Sequence, residues 1–153
     1  MKRSAWMLLL CGIGFSAHAA APAEVVESYH KALAASDQKA ALALLADDFD
    51  VFEQGFVDAS RADYQKGSLA HDVDFASKTK REVQSQQAGG DDSVAWVETL
   101  TRTRGTYEGG AVDLSEAETA ILKKDGADWK IVHLHRSAHA TRPSAGKKPE
   151  KTH

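Results

Sequence analysis

The chain has 153 residues and a formal net charge of −3, with 22 acidic side chains against 19 basic ones. Lys2 and Arg3 contribute +2 and residues 142–153 contribute +3, so the part of the chain between them has a net charge of −8. An acidic body without clusters of Lys and Arg excludes nucleic acid as the main partner, because binding to phosphates requires such clusters.

The first 19 residues are typical of a secretory signal peptide. A positively charged start precedes the apolar stretch Trp6–Phe15, and Ala17-His18-Ala19 fits the small-residue cleavage pattern. This stretch is too short to span a membrane and no longer one follows, so we expect no integral membrane association. We predict cleavage near Ala19 or Ala20 and a periplasmic or secreted protein. Cys11, the only cysteine, leaves with this segment.

The rest of the chain divides into one domain and a tail. Residues 20–141 are sufficient for one domain with a sizeable core. Residues 142–153 combine Pro, Gly and basic side chains without an apolar anchor, which predicts a disordered basic tail.

Three helices are predicted in the first half of the domain. Apolar residues at helical spacing indicate a helix over residues 23–35, and Asp37 can cap a second, short helix. Ser60 begins a capping pattern for a third helix, which we expect to run to about Ala76. Gly67 weakens that helix locally, by about 1 kcal/mol relative to Ala.

The second half changes to the alternation of β-strands. A short strand within Phe49–Phe56 precedes four longer ones, predicted over residues 80–87, 93–106, 112–124 and 129–137. The connecting segments AGGDD, YEGG and KDGAD are typical of hairpin turns. Long paired strands coil, so we predict an α+β fold with a strongly curved antiparallel sheet. The three N-terminal helices cover one face of it and leave a cone-shaped domain with a cavity.

The C-terminal segment DGADWKIVHLHRS, Asp125–Ser137, resembles the closing hairpin of the nuclear transport factor 2-like superfamily. Its members include SnoaL-like and ketosteroid isomerase-like proteins and the association domain of calcium/calmodulin-dependent kinase. The similarity to that last domain extends over Ser115–Ser137, where SEAET, DG-x-x-W and VHLHRS follow in order. The resemblance implies a pocket at the wide end of the cone, and dimers or larger assemblies formed through the sheet.

Arg136 is the pocket residue that the resemblance implies most directly. The association domain places an arginine of its HFHRS-like stretch in the pocket, and Arg136 occupies that position. Two further pocket arginines of that domain fall near Glu98 and Ala120 in this chain, so the basic anion pocket is not reproduced.

The alternation of side chains along the same strand decides in which direction His133 and His135 point. On a regular strand Trp129 and Ile131 share a face with His133 and His135, while Arg136 lies on the other. If Arg136 lines the cavity, the histidines point to the convex face or to an oligomer interface. If a bulge intervenes, this assignment flips.

A metal site at His133 and His135 is the weaker hypothesis for these side chains. They could supply two ligands, with His139 or His71 approaching, but a zinc site needs three or four. The sequence has no CxxC or HExxH pattern. We therefore predict no metal and no other cofactor.

Acid/base candidates are side chains whose pKa a cavity could shift. The possible carriers are Glu53, His71, Asp72, Asp74 and Glu98. We single out His71 and Asp72 near the end of the third helix, and Glu98, which shares a strand face with apolar residues. For ligand binding we predict Tyr64, Trp96, Glu98 and Arg136, in a pocket with an apolar lining.

The leading hypothesis is an exported, oligomerising domain, most simply a homodimer, that binds a small molecule in an apolar pocket without robust catalysis. One alternative is an enzyme of the SnoaL or ketosteroid isomerase type with a buried Asp, Glu or His as general base. The other is an envelope metal-handling or structural module that uses His133 and His135. The sequence leaves open whether the protein is an enzyme, and it does not name the ligand.

Overall fold

A computed structural model of the protein describes residues 20–141. The predicted signal peptide and the predicted tail lie outside these residues. The described helices are α1 (Pro22–Ala34), α2 (Gln38–Ala43), α3 (Arg61–Lys66) and α4 (Leu69–Lys78). The described strands are β1 (Leu45–Glu53), β2 (Phe56–Asp58), β3 (Thr79–Gly90), β4 (Val94–Tyr107), β5 (Gly110–Asp125) and β6 (Asp128–Ala140). None of these helices has the length and apolar character needed to cross a membrane.

The helix starts follow from local side-chain chemistry. The Asp37 carboxylate accepts a hydrogen bond from the backbone N–H of Ala40 at 2.9 Å, which caps α2 as predicted. The Ser60 hydroxyl accepts one from the backbone N–H of Asp63 at 3.0 Å and caps α3. The predicted third helix is two helices, because the chain leaves helical geometry at Gly67 before α4 begins.

The strands form one six-stranded, curled sheet in the order β2-β1-β6-β5-β4-β3. Neighbouring strands pair antiparallel, except that β1 runs parallel to β6 and makes the sheet mixed. The predicted turns form as expected: Gly109 and Gly126 have φ angles of +78° and +62°, which glycine adopts without strain. The predicted α+β fold with a curved sheet is confirmed.

The helices pack on one face of the sheet, which we call the inner face. Tyr29 and Leu33 from α1 are buried against Val97, Leu122 and Leu134 from β4, β5 and β6 in a single apolar core. Burial of each large apolar side chain contributes about 1.5–3 kcal/mol. The opposite side, which we call the outer face, is not covered by any described helix.

A bulge in β6 decides which side chains reach the inner face. Ile121 pairs with His133 but Leu122 pairs with Ile131, so Val132 is an extra residue. As a result Ile131 and Leu134 are both fully buried. The expectation that Ile131 shares a face with His133 and His135 is therefore wrong, because it assumed a regular strand.

Candidate functional site

A cavity of about 480 Å³ lies between α1, α4 and the inner face of the sheet. It opens where β1 and β6 end and β3 begins, the end of the sheet that the core does not fill. Its walls combine apolar surface, for example from Leu33, Phe75 and Leu114, with a set of charged side chains. The cavity thus differs from the predicted pocket in the number of ionisable groups that converge on it.

One group of charges is centred on Arg136. Its Nη2 donates to Asp72 Oδ2 at 2.7 Å and lies 2.9 Å from Glu53 Oε2. Deeper in the protein interior, the Tyr64 hydroxyl donates to the same Asp72 oxygen at 2.8 Å and is 2.6 Å from the Tyr29 hydroxyl. Burial raises the pKa of both tyrosines, so both hydroxyls stay protonated at neutral pH.

Glu53 is the most exposed member of this group. Its side chain is 38% exposed. Burial raises the pKa of the Glu53 carboxyl, Arg136 opposes the shift, and the negative charge of Asp72 adds to it. A carboxylate with a raised pKa is a better proton acceptor near neutral pH.

A second group of charges lies on the α1 side of the cavity. Arg81 Nη1 donates to both Glu27 oxygens at 3.0 and 3.1 Å. His30 Nε2 lies 2.9 Å from Glu118 Oε1. Burial acts to raise the pKa of Glu118, but the charge and hydrogen bond of His30, with Arg136 and Arg81, outweigh it and lower the pKa to about 2.

Glu116 forms a third, separate feature. Its Oε2 accepts hydrogen bonds from the hydroxyls of Thr101, at 3.2 Å, and Thr103. Both threonines are buried, and all three residues line the cavity. Glu116 has no ion pair with any of the residues that the structure describes.

The structure brings together only part of the predicted site. Arg136, His71 and Asp72 line the cavity. The His71 side chain is exposed at the mouth, whereas Asp72 is buried and paired with Arg136. Tyr64 is fully buried and reaches the cavity only through its hydrogen bond to Asp72.

Trp96 and Glu98 lie on the outer face and are not part of the cavity. Along β4, Val97 and Thr99 point to the inner face, so their neighbours Trp96 and Glu98 point away from it. Asp74 forms an exposed ion pair with Lys78. The sequence did not show which of the two faces of β4 is buried. The prediction chose the wrong face and therefore misplaced Trp96 and Glu98.

His133 and His135 also lie on the outer face. The His133 ring contacts the Asp50 carboxylate, and its centroid is 5.5 Å from that of Phe52 and 6.5 Å from that of His135. Within residues 20–141, no group of three or more His, Cys, Asp or Glu side chains is placed to hold a metal ion.

Sequence reasoning missed most of the charged lining. The missed residues are Glu27, His30, Arg81, Thr101, Thr103, Glu116 and Glu118. The available signal was the alternation T-x-T-x-T over residues 99–103 and E-x-E over residues 116–118, which places polar residues on one face of two paired strands. If this face is the buried one, the pattern indicates a patch of polar side chains inside the cavity.

The comparisons with known proteins agree with this geometry. The family model for the SnoaL-like domain matches residues 23–141. The chain belongs to the SnoaL-like domain family, within the nuclear transport factor 2-like fold. None of the curated proteins compared with the chain matches it.

Three solved structures illustrate the range of its relatives. A ketosteroid isomerase-like protein from Shewanella frigidimarina is 25% identical, with 74% of this chain and 92% of that chain covered and a TM-score of 0.72. A CaMKII hub from S. rosetta is 25% identical, with 78% and 98% covered and a TM-score of 0.66. An NTF2-like protein with a cystatin-like fold from Novosphingobium aromaticivorans is 15% identical, with 74% and 77% covered and a TM-score of 0.60, and shows the fold alone.

Proposed function

We propose that this protein binds a small molecule in its inner cavity and self-associates through the outer face of its sheet, without robust catalysis. The cavity carries the proposal. Its volume of about 480 Å³ lies in the range of roughly 300–1,000 Å³ typical of ligand pockets. Apolar walls with convergent polar groups are the composition that such pockets use.

Ligand binding is tested by recording amide chemical shifts of the protein against a small fragment library. Binders are expected to shift the amides of Thr101, Thr103 and Arg136, which line the cavity. The Trp96 amide, whose residue and sequence neighbours do not line the cavity, serves as an internal control and should not shift. A library without any fragment that shifts the cavity amides would contradict the proposal.

The outer face supports self-association because it exposes large apolar side chains. Phe52, Trp96 and Leu100 are 41%, 38% and 53% exposed, and Trp96 and Leu100 lie on the same side of β4 with Glu98 between them. Grouped apolar exposure of this kind marks interaction surfaces in soluble proteins. His133 and His135 border it. The similar chain from S. rosetta is a CaMKII hub, and we extend self-association to this chain as part of the proposal.

The subunit count is measured by native mass spectrometry. We expect a dimer or larger assembly for the natural protein and a monomer for Leu100→Lys, because a charge placed in an apolar interface is costly. Ser28→Lys, on the exposed side of α1, is the matched control and should leave the assembly intact. A monomeric natural protein, or an assembly that Leu100→Lys leaves unchanged, would refute the use of this face.

A second candidate function is proton transfer on an apolar carbonyl substrate. The observation that favours it is Glu53, a cavity carboxyl whose pKa burial raises. The ketosteroid isomerase-like relative supplies the substrate class to try, a ketosteroid. In this role Glu53, one of the possible carriers predicted from the sequence, would be the general base in place of His71, Asp72 or Glu98.

This candidate is tested by assaying isomerisation as a function of pH. Activity should rise with pH as Glu53 ionises and should be lost in Glu53→Gln. Glu98→Gln, a matched change on the outer face, should keep the activity. If the natural protein gives no turnover, or if Glu53→Gln keeps it, Glu53 is not a general base for this reaction.

We also propose export, with cleavage near Ala19 or Ala20 and a periplasmic or secreted location. The supporting observation is the sequence pattern of residues 1–19. Expression in a bacterium with two membranes, followed by fractionation and intact mass measurement, tests it. A full-length mass in the cytoplasmic fraction would be evidence against export.

A further inference from the structure

Glu116 is the cavity carboxylate whose hydrogen bonds leave it open to a ligand. The hydroxyls of Thr101 and Thr103 both donate hydrogen bonds to Glu116 Oε2, and Oε1 receives no hydrogen bond from the described residues. Thr101 and Thr103 are 5% and 3% exposed, so they hold the carboxylate in a fixed position. These partners are neutral hydroxyls, so none of them is a cation that pairs with the Glu116 carboxylate.

The other carboxylates of the cavity already have cationic or ionisable partners. Arg81 forms an ion pair with Glu27, and Arg136 forms ion pairs with both Asp72 and Glu53. Lys31 and Lys80 also line the cavity. The Lys80 ammonium group binds Glu82, which does not line it, and Lys31 is an exposed residue of α1. Five carboxylates therefore line the cavity against four Lys and Arg side chains, and Glu116 is the one carboxylate of the five without an ion-pair partner among the described residues.

The geometry does not favour an anionic ligand. Arg81 Nη2 and Arg136 Nε have no hydrogen-bond partner among the described residues, yet both atoms are buried below the cavity surface. Because both atoms are buried, a bound anion could not contact them without a rearrangement of the surrounding side chains. On the surface that remains open, the polar atoms presented to a ligand include carboxylate oxygens of Glu53 and Glu116.

We propose that the ligand of this cavity is a small organic cation, a primary or secondary amine, whose ammonium group binds Glu116 Oε1. This inference rests on the proposed ligand-binding function and adds the chemical class. An alkylammonium group is protonated at neutral pH, with a pKa of about 10 like that of lysine. Charge-assisted hydrogen bonds to a carboxylate are about twice as strong as neutral ones. The ring of Phe75 in the cavity wall suits the organic part of the ligand.

The test uses three probes that share a ring and differ in charge: benzylamine, benzyl alcohol and benzoate. Their affinities for the natural protein are measured by calorimetry at neutral pH and low salt, with amide shifts to locate the site. We expect benzylamine to bind at least about tenfold more tightly than benzyl alcohol, and benzoate to bind most weakly. This ranking requires no variant.

Glu116→Gln then assigns the effect to one side chain. It should weaken benzylamine about tenfold and change benzyl alcohol little, because only the charge-assisted bond is lost. Glu98→Gln is the matched control on the outer face and should change neither. If benzyl alcohol or benzoate binds the cavity as tightly as benzylamine, or if Glu116→Gln leaves the ranking unchanged, the cationic class is wrong and ligand binding survives. If no probe and no library fragment shifts the cavity amides, both proposals fail.

Discussion

The inner face of β4 is polar where it lines the cavity, whereas its outer face carries exposed apolar side chains, although the two faces alternate along one strand. On β4, the inner residues Thr101 and Thr103 are polar and at most 5% exposed, whereas the outer residues Trp96 and Leu100 are apolar and 38% and 53% exposed. A sheet with one solvated face normally buries its apolar residues and exposes its polar ones. The buried polar residues of β4 at the cavity and its exposed apolar residues on the outer face are the basis of the two proposals, a ligand inside and a second copy outside.

Ion pairs on the two faces also differ in their surroundings. Arg136 and Asp72 on the inner side are 17% and 8% exposed. Arg102 and Asp113 on the outer side form a two-point pair with distances of 2.6 Å, but both side chains are open to solvent. Water and salt screen the outer pair and leave the inner pair largely unscreened. This comparison predicts that the same kind of substitution lowers the free energy of unfolding more at the inner ion pair than at the outer one.

The largest effect is expected for Arg136→Ala. Removing this cation leaves the buried Asp72 carboxylate without a counter-charge, and breaking a buried pair in this way costs about 3–5 kcal/mol of unfolding free energy. Urea denaturation monitored by circular dichroism measures the loss. Arg102→Ala removes an exposed arginine from an ion pair of similar geometry and should cause a much smaller change. Similar losses for the two variants would show that the inner pair is not desolvated as described.

A smaller effect is expected for Tyr64→Phe. This change removes the hydroxyl that donates to Asp72 and that pairs with Tyr29, so it leaves two buried polar groups short of a partner. Such losses cost about 1–3 kcal/mol. Tyr29→Phe is the control, because Tyr64 can still donate to Asp72 and the loss should be nearer 1 kcal/mol. The same denaturation experiment compares them, and a Tyr29→Phe loss equal to or above that of Tyr64→Phe would contradict the direction of this chain of hydrogen bonds.

The sequence predicted the fold well because its signals are local. The helical spacing around Tyr29, the cap at Asp37 and the turn at Gly126 each depend on a few neighbouring residues. The bulge at Val132 has no comparable signal, because it depends on how β6 pairs with β5. This single extra residue changes which side chains of β6 share a face.

The candidate site was predicted less well because its contacts join distant parts of the chain. Arg136 meets Asp72 across 64 residues, and Glu118 meets His30 across 88. Only the tertiary arrangement brings such pairs together. Arg136 was found through the resemblance of its motif, whereas Glu118 lies within the resembling segment but was not recognised as part of the site. Trp96 was misplaced because an apolar residue on a strand is normally expected to face the interior.

The last predicted effect concerns acid stability and depends on Glu118. Its pKa of about 2 in the folded chain is below the ordinary value of 4.5 that it regains on unfolding. Between these two values the unfolded state binds more protons, so the free energy of unfolding decreases as the pH falls from about 4.5 towards 2. Glu118→Gln should therefore flatten this pH dependence by at most about 1.4 kcal/mol per pH unit, the slope that one proton produces.

Asp113 on the outer face provides the comparison for this last prediction, because the hydrogen bond from Arg102 lowers its pKa to about 2 as well. At about 1 M salt the Debye length is about 3 Å, so the exposed Asp113 pair is screened and the buried Glu118 pair is not. Urea denaturation at a series of acidic pH values, in low and high salt, should show that the effect of Glu118→Gln persists and that the effect of Asp113→Asn fades. If salt removed both effects alike, the inner carboxylate would be as accessible to solvent as the outer one, and the contrast between the two faces would not hold.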